Sequence, residues 1–157
     1  IRRQSAGVHS GPTRRIDMAV KKEQEREAVL EAAAGFYKAL GAVLAGDVEP
    51  MKGVWSHADD VTYMGPGGAF CAGWAEALKE WEAQAAMKLG GVVKHDALRV
   101  AVGKDLAVVE NREYGEAITV SGKGRRFSLR VTSVFRKEKG AWKMTGHHTD
   151  VLSYMKK

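Results

Sequence analysis

The chain has 157 residues, of which 45% are hydrophobic and 28% are charged. This length and composition predict one globular domain with a core of useful size. Of the net charge of +6, five units come from residues 1–22, which hold six Lys and Arg residues and a single acid, Asp17. The rest of the chain is nearly neutral, so we expect no nucleic-acid-binding surface on the folded domain.

The cysteine and histidine residues limit the disulfides and metal sites that we expect. Cys71 is the only cysteine, so no internal disulfide can form and a reducing compartment is expected. No apolar stretch approaches the roughly 20 residues that span a bilayer, so we expect no membrane span. His147 and His148 are adjacent in a presumed strand and face opposite ways, which disfavours a shared metal ion. We therefore predict neither a metal nor a cofactor.

Residues 1–17 form a basic N-terminal extension ahead of a domain that covers residues 18–157. The extension is rich in Arg and Ser and has no acid before Asp17, which is typical of organelle transit segments. One interpretation is the remnant of a processed leader on a protein of an organellar matrix, that of the mitochondrion. The other is vector-derived sequence or a mis-assigned start on a protein of the bacterial cytoplasm. An ordered extension would need a surface to lie on, which favours a partner protein.

Helices dominate the first half of the domain. Apolar residues at spacings of three and four predict a helix over residues 18–45. These apolar positions are Val29, Ala33, Phe36, Leu40 and Val43. Asp47 is a candidate N-cap for a short second helix with Pro50 in its first turn. A third helix is expected over residues 74–89, where a Gly-Gly pair ends it.

Strands follow the helices, except for one early hairpin. That small hairpin is expected over residues 61–71, and three further strands over residues 92–102, 106–114 and 127–136. Residues 115–126 hold Thr, Ser and Gly with a basic tip, which favours a flexible connection. Helices first and antiparallel strands afterwards predict an α+β domain.

The end of the chain predicts a second hairpin. Apolar and polar side chains alternate over residues 127–135, which is typical of a half-buried strand. The charged segment 137–140 is a turn, after which Trp142 and Met144 resume the alternation.

The direction of each side chain in the last strand depends on whether the strand is regular. If it is, His148 and Asp150 share the face of Trp142 and Met144, while His147 lies on the opposite face. We therefore expect any acid–base chemistry to come from His148 and Asp150.

Several segments together carry a resemblance to a known family. They are the final hairpin, Arg130-Val-Thr-Ser-Val-Phe-Arg-Lys-Glu-Lys-Gly-Ala-Trp-Lys-Met closing on His147-His148-Thr149-Asp150, and, upstream of it, Phe36-Tyr-Lys-Ala-Leu, Gly46-Asp47-Val-Glu-Pro-Met, Trp55-Ser-His-Ala-Asp-Asp-Val-Thr-Tyr-Met and Gly73-Trp74. Over roughly residues 21–154 the chain is similar to the nuclear-transport-factor-two-like superfamily. The SnoaL-like branch and the related calcium/calmodulin-dependent kinase association domain resemble it most.

This resemblance implies a fold but no particular reaction. It implies a curved antiparallel sheet wrapped around a long N-terminal helix, in the cystatin-like topology, with a cone-shaped cavity at one end. The exposed face of such a sheet often pairs two subunits. Members of the superfamily include isomerases, cyclases, dehydratases and proteins without catalysis, so the fold alone does not name the activity.

The resemblance also suggests which side chains to consider. Members that catalyse carry carboxylates, His, Tyr or Arg on the cavity wall, where apolar surroundings shift pKa values. The catalytic candidates here are His148 and Asp150. The candidate pocket residues are Tyr37, Trp55, His57, Tyr63, His95 and Arg130. In the kinase association domain an Arg points into the pocket, and the matching position here is Ser133, which weakens that likeness.

No complete catalytic set can be assembled from these residues. We therefore expect a non-catalytic binding or accessory subunit that contacts other protein subunits, or a second copy of itself, through the sheet face and the basic extension. Two alternatives stay open. One is an isomerase- or cyclase-type enzyme that uses His148 and Asp150, and the other is a homodimer that binds a small apolar or anionic ligand.

Overall fold

The computed structural model describes residues 12–150, without the side chains of residues 12, 13 and 97. The elements follow in the order α1 (Pro12–Ala45), α2 (Glu49–Val54), β1 (Thr62–Met64), β2 (Phe70–Ala72), α3 (Trp74–Met87), β3 (Val92–Val102), β4 (Leu106–Val120), β5 (Lys123–Glu138) and β6 (Ala141–Asp150). The predicted helices and the predicted strands are therefore present, and several of them are longer than expected.

The strands form one six-stranded sheet in the order β2-β1-β6-β5-β4-β3. Neighbouring strands are antiparallel except for β1 and β6, which are parallel. The α+β prediction is confirmed, and the sheet is curved and unclosed. The expectation of an all-antiparallel sheet is wrong at one pair, because the early hairpin adds to the sheet beside the last strand in the chain.

Helix α1 packs its second half against the sheet and the other helices. Its predicted apolar positions, from Val29 to Val43, are all 9% exposed or less, and the helix contacts α2, α3, β3 and β6. These contacts bury an apolar stripe of about five residues, which is the main source of stability for a helix of this kind.

The first half of α1 extends beyond the predicted start. The helix begins at Pro12, so residues 12–17 of the predicted basic extension are helical, and residues 1–11 lie outside the described residues. By length and composition α1 could cross a membrane. An 18-residue window within Arg14–Ala45 has a mean hydropathy of 1.4, and 39% of that window is buried within the domain. Core helices of soluble proteins meet the same criterion, so the absence of a membrane span stays a prediction.

Helix α2 is short and begins next to a polar cap. Asp47 Oδ1 accepts a hydrogen bond of 3.0 Å from the backbone N–H of Glu49. The N-cap position itself is held by Val48, so the predicted N-cap is wrong by one residue, and Asp47 bonds to the helix start from the position before the N-cap. The cap satisfies one of the backbone donors that a helix start leaves free.

Strands β4 and β5 continue through the predicted flexible connection. Ile118, Thr119 and Val120 pair with Arg125, Gly124 and Lys123, and only Ser121 and Gly122 form the turn. Both turn residues have positive φ, 52° and 74°, as a two-residue hairpin turn requires. The Thr, Ser and Gly residues of this segment therefore form a long hairpin, because the partner strand supplies the backbone hydrogen bonds that a loop would lack.

A bulge in β6 reverses the predicted direction of its last side chains. Val134 pairs with Gly146 and Phe135 pairs with Met144, so Thr145 is the extra residue. A single inserted residue changes the face of every side chain after it. The prediction that His148 and Asp150 share a face with Trp142 and Met144 is consequently wrong. His147 and Thr149 point inward, and His148 and Asp150 are exposed on the outer face.

A polar clamp fixes the segment before β1 to the end of β5. The Arg136 guanidinium donates to both carboxylate oxygens of Asp60, at 2.6 and 3.0 Å, and to Glu138 at 3.0 Å. The buried Ser56 hydroxyl donates to Glu138 at 2.7 Å. Since Trp55 directly precedes this clamp, its fully buried indole is anchored in the core.

Two glycines with the same backbone angle allow a stability prediction. Gly91, just before β3, and Gly122 both have φ +74°, but a Cβ at Gly91 would lie 2.5 Å from the Glu116 carbonyl oxygen, whereas Gly122 faces open space. We expect Gly122→Ala to lower the free energy of unfolding by about 1 kcal/mol through backbone strain alone. Gly91→Ala should cost about 3 kcal/mol or more, because the strand must also move. Chemical denaturation measures both, and equal losses would contradict the close approach at Gly91.

Candidate active site

The inner face of β4 changes from apolar to polar along its length. Ala107 and Val109 are in the core, and the next two inward residues are Asn111 and Glu113, which are 7% and 3% exposed. These two polar side chains meet Tyr37 from α1. The strand thus delivers an amide and a carboxyl group to the inside of the curved sheet.

A hydrogen-bonded chain joins these three side chains. The Tyr37 hydroxyl donates to Glu113 Oε1 at 2.9 Å, and Asn111 Nδ2 donates to the Tyr37 oxygen at 2.7 Å. Asn111 Nδ2 also donates to the Arg112 carbonyl at 3.2 Å. Within residues 12–150 the buried Asn111 Oδ1 has no partner, so one acceptor of the chain is left available inside the protein.

The bulge in β6 brings His147 to the same carboxyl group. His147 Nε2 lies 3.7 Å from Glu113 Oε1, and both side chains are 4% exposed. On the other side of the ring, His147 Nδ1 lies 2.9 Å from the Ser133 hydroxyl oxygen. The imidazole packs against Phe36, with ring centroids 4.6 Å apart, so its position is set by packing as well as by hydrogen bonding.

Burial determines the protonation of this cluster. Desolvation raises the pKa of Glu113 to about 7, although the hydrogen bond from Tyr37 acts in the opposite direction. Burial lowers the pKa of His147 to about 3, so the imidazole is neutral near pH 7. The pKa of Tyr37 is raised, first by burial and then by the charge on Glu113.

The contact between His147 and Glu113 is therefore not an ion pair. The separation of 3.7 Å would allow one if the imidazole were protonated, but a fully buried imidazole keeps its neutral form. Near pH 7 the cluster consists of one carboxyl group close to its midpoint and two neutral groups, a phenol and an imidazole. A carboxyl group with this pKa can both accept and return a proton.

Aromatic rings form the wall around the cluster. Tyr63 and Trp81 lie 4.3 Å apart between ring centroids, and Phe36 meets Trp81 edge-on at 6.1 Å. His95 on β3 stacks on Tyr37 at 4.1 Å and is half-buried. The cluster thus extends from the fully buried His147 to the half-buried Tyr37 and His95.

A comparison with known sequences decides the family. A model of the SnoaL-like domain matches residues 29–154. The chain belongs to the SnoaL-like domain family. No curated protein matches the chain.

Solved structures agree with this assignment. The SnoaL-like chain is similar to an NTF2-like protein with a cystatin-like fold from Novosphingobium aromaticivorans, with 19% identity, a TM-score of 0.71 and coverage of 94% of this chain and 93% of that one. It is also similar to a protein from Thiobacillus denitrificans provisionally named a calcium/calmodulin-dependent protein kinase type II association domain, with 23% identity, a TM-score of 0.66 and coverage of 78% and 93%. A third is a protein from Shewanella frigidimarina provisionally named a ketosteroid isomerase, with 18% identity, a TM-score of 0.63 and coverage of 78% and 94%. These likenesses confirm the predicted fold, and at such identities they show the fold alone.

The predicted pocket residues of this SnoaL-like domain are divided between its two faces. Tyr37 is part of the cluster, Tyr63 is in its wall, and His95 stacks on Tyr37. Trp55 is core. His57 is exposed and stacks on Trp74 at 4.4 Å.

The other predicted residues lie on the outer face. Arg130 pairs across the strands with Asp150, and Thr132 with His148, and these four residues line an open groove of the exposed sheet. A role for His148 and Asp150 in a reaction stays a prediction, but they do not lie on the inner face of the curved sheet.

Glu113, Asn111 and His147 were not among the predicted site residues. The alternation of inward and outward side chains in the predicted strand 106–114 could have identified Asn111 and Glu113. Both share the face of the apolar Ala107 and Val109. His147 was assigned to the opposite face because the bulge left no mark in the sequence pattern. No metal-binding group of three or more His, Cys, Asp or Glu side chains occurs in the described part of the chain.

The raised pKa of Glu113 predicts how stability depends on pH. Because the folded state holds the proton more tightly than the unfolded chain, stability falls as the pH rises from about 4.5 to about 7. Glu113→Gln keeps the size of the side chain and cannot ionise. Between pH 4.5 and pH 8 we expect the wild type to lose about 3 kcal/mol of unfolding free energy relative to Glu113→Gln.

Urea unfolding of both proteins across this pH range measures the difference. Glu110→Gln removes a carboxyl group from the exposed face of the same strand and is the matched control. A constant difference between wild type and Glu113→Gln would contradict the raised pKa.

Proposed function

We propose that this SnoaL-like protein is a small-molecule enzyme that moves a proton at a carbon atom next to a carbonyl group, as isomerases and dehydratases do. The observation that carries the proposal is the buried Glu113 carboxyl group, whose pKa is about 7 and whose Oε1 accepts a hydrogen bond from Tyr37. A general base works best when its pKa lies near the working pH. Buried carboxyl groups with strongly raised pKa values are concentrated at functional sites.

Each member of the cluster has a role in this proposal. The ionised Glu113 removes a proton from the substrate carbon and becomes a neutral acid, and the electrons of the C–H bond move into the carbonyl group as an enolate. Neutral donors, the Tyr37 hydroxyl and an N–H of His147, stabilise the oxygen that gains charge. Return of the proton from Glu113 to a different carbon completes an isomerisation and restores the carboxylate.

The surroundings favour an uncharged and largely apolar substrate. Phe36, Tyr63 and Trp81 surround the cluster as buried aromatic rings, and within the described residues Glu113 forms no salt bridge with Lys or Arg. Asn111 Oδ1 and His95 Nδ1 are buried atoms that lack a partner there. A carbonyl compound with a nearby hydroxyl group would supply hydrogen bonds to them.

The name of one structural relative agrees with this reaction class. The similar protein from Shewanella frigidimarina is provisionally named a ketosteroid isomerase. At 18% identity it supports the fold only, and the reaction class rests on the residues described above.

Hydrogen–deuterium exchange at carbon tests the activity directly. In D₂O, the wild type should accelerate exchange of the protons next to the carbonyl group of 2-tetralone or cyclohex-3-enone, followed by proton NMR. Glu113→Gln should reduce this acceleration by about 100-fold or more, whereas Glu110→Gln on the outer face should keep it. The rate should rise with pH to a plateau with a midpoint near 7, because only the ionised carboxyl group accepts the proton.

Two results would count against the proposed function. The first is exchange by Glu113→Gln at the rate of the wild type. The second is a wild-type rate with both ketones that does not exceed the rate without protein. Circular dichroism of each variant shows that a loss of exchange is not a loss of folding.

The accessory-subunit role expected from the sequence stays a prediction. One of its grounds was the basic extension, whose residues 1–11 lie outside the described residues. The other was the lack of a catalytic set, and the cluster of Glu113, Tyr37 and His147 weakens that ground. The expected homodimer, other protein partners and mitochondrial matrix location stay predictions as well.

A further inference from the structure

Ser133 and His147 form a buried cross-strand pair. They are direct partners in the ladder between β5 and β6, and both are 4% exposed. Because the two residues lie opposite each other on neighbouring strands, the short serine side chain reaches the imidazole. The Ser133 hydroxyl oxygen lies 2.9 Å from His147 Nδ1. This is the one hydrogen bond of the Ser133 side chain within residues 12–150.

Two arrangements of protons are compatible with this distance. In the first, the Ser133 hydroxyl donates to Nδ1, and the ring proton is on Nε2, which faces Glu113. In the second, Nδ1–H donates to the serine oxygen, and a bare Nε2 lone pair faces Glu113 Oε1 at 3.7 Å. A neutral imidazole must adopt one of the two.

The second arrangement leaves two unfavourable contacts. The Ser133 hydroxyl proton would be buried without an acceptor in the described part of the chain, which is costly for a polar group. The Nε2 lone pair would also face a carboxyl oxygen, and two acceptors repel each other when Glu113 is ionised. The first arrangement uses the serine proton and directs an N–H bond at the carboxylate.

We propose that Ser133 is a positioning residue, which holds His147 in the Nε2–H tautomer so that this N–H faces Glu113. The inference rests on the proposed function, because it deepens the role of the same carboxyl group. Ser133 itself touches neither the carboxyl group nor a substrate and acts only through the imidazole ring. Glu113 is then flanked by two donors, the Tyr37 hydroxyl at 2.9 Å and His147 Nε2–H at 3.7 Å.

The second donor is too far from Glu113 for a full hydrogen bond. At 3.7 Å the N–H dipole attracts the carboxylate, and a small movement of either side chain would shorten the contact. The same N–H can also donate to a substrate oxygen beside it, while Ser133 and Phe36 keep the ring in place. Ser133 thus keeps a neutral donor available beside the base.

Few other ionisable groups face the His147 ring. Glu113 approaches from β4 and Tyr63 from β1, with the Tyr63 ring stacked at 6.1 Å. Phe36 covers the ring from α1, and the neighbouring His148 on β6 points outward. The tautomer is therefore controlled chiefly by Ser133 and by the charge on Glu113.

Nitrogen NMR of the full chain labelled at histidine tests the tautomer directly. Near pH 7, where His147 is neutral, the wild type should show a protonated Nε2 and an unprotonated Nδ1 that accepts a hydrogen bond. In Ser133→Ala the Nδ1 signal should move to that of a free ring nitrogen, and the share of the Nδ1–H tautomer should rise severalfold. Ser133→Thr retains the hydroxyl group and should restore the wild-type signals.

The same variants give a readout on Glu113. Carboxyl carbon NMR should show a higher pKa for Glu113 in Ser133→Ala and in His147→Phe than in the wild type, because each change weakens a donor to the ionised form. Ser133→Thr should return the pKa to the wild-type value. A purely structural role for Ser133 would change the unfolding midpoint without this pattern.

Failure of this inference is distinguishable from failure of the proposed function. A proton on Nδ1 in the wild type, or histidine signals unchanged in Ser133→Ala, would overturn the role of Ser133 even if Glu113→Gln abolishes exchange. Conversely, the expected tautomer together with the expected changes in the Glu113 pKa would support the positioning pair even if no ketone exchanges.

Discussion

A carboxyl group that is buried away from water must gain hydrogen-bond donors or take up a proton. The polar cluster on the inner face of this sheet is arranged around one such group, Glu113. It receives a short hydrogen bond from Tyr37 and the approach of a neutral imidazole, but no salt bridge with Lys or Arg among residues 12–150. Neutral donors stabilise the carboxylate less than a cation does. The proton is therefore bound with a pKa near neutrality, which is the condition that general acid–base catalysis needs.

The identity of residue 133 is important for the same reason. A guanidinium group at this position would place a cation near Glu113 and would hold the pKa of the carboxyl group low. Serine contributes only a hydroxyl group, which is used by His147 Nδ1. The neutral side chain at position 133 is therefore consistent with the raised pKa of Glu113, whose main cause is burial.

The sequence predicted the parts of the fold that local periodicity controls. The stripe of α1, the alternation of residues 127–135 and the helix at residues 74–89 all follow from the repeat of their own element. The continuation of β4 and β5 through residues 115–126 could not be predicted this way, because pairing between two polar strands is a property of the hairpin. The bulge at Thr145 was equally hidden, since it is a mismatch in length between strands and not a feature of either one. Because of that one residue, His147 and not His148 lies on the inner face of the curved sheet.

The two faces of β4 show why residue type alone did not locate the site. On the outer face Arg112 forms a two-point ion pair with Asp96, at 3.1 and 3.2 Å, and both side chains are about half exposed to solvent. Exposed pairs of this kind contribute little energy because water and salt screen them. One residue further along the strand, the Glu113 carboxyl group is surrounded by rings and neutral polar groups, and its ionisation becomes costly. The ionisation of a side chain on β4 therefore depends on which face of the strand it occupies. The face in turn follows from the register of the strands.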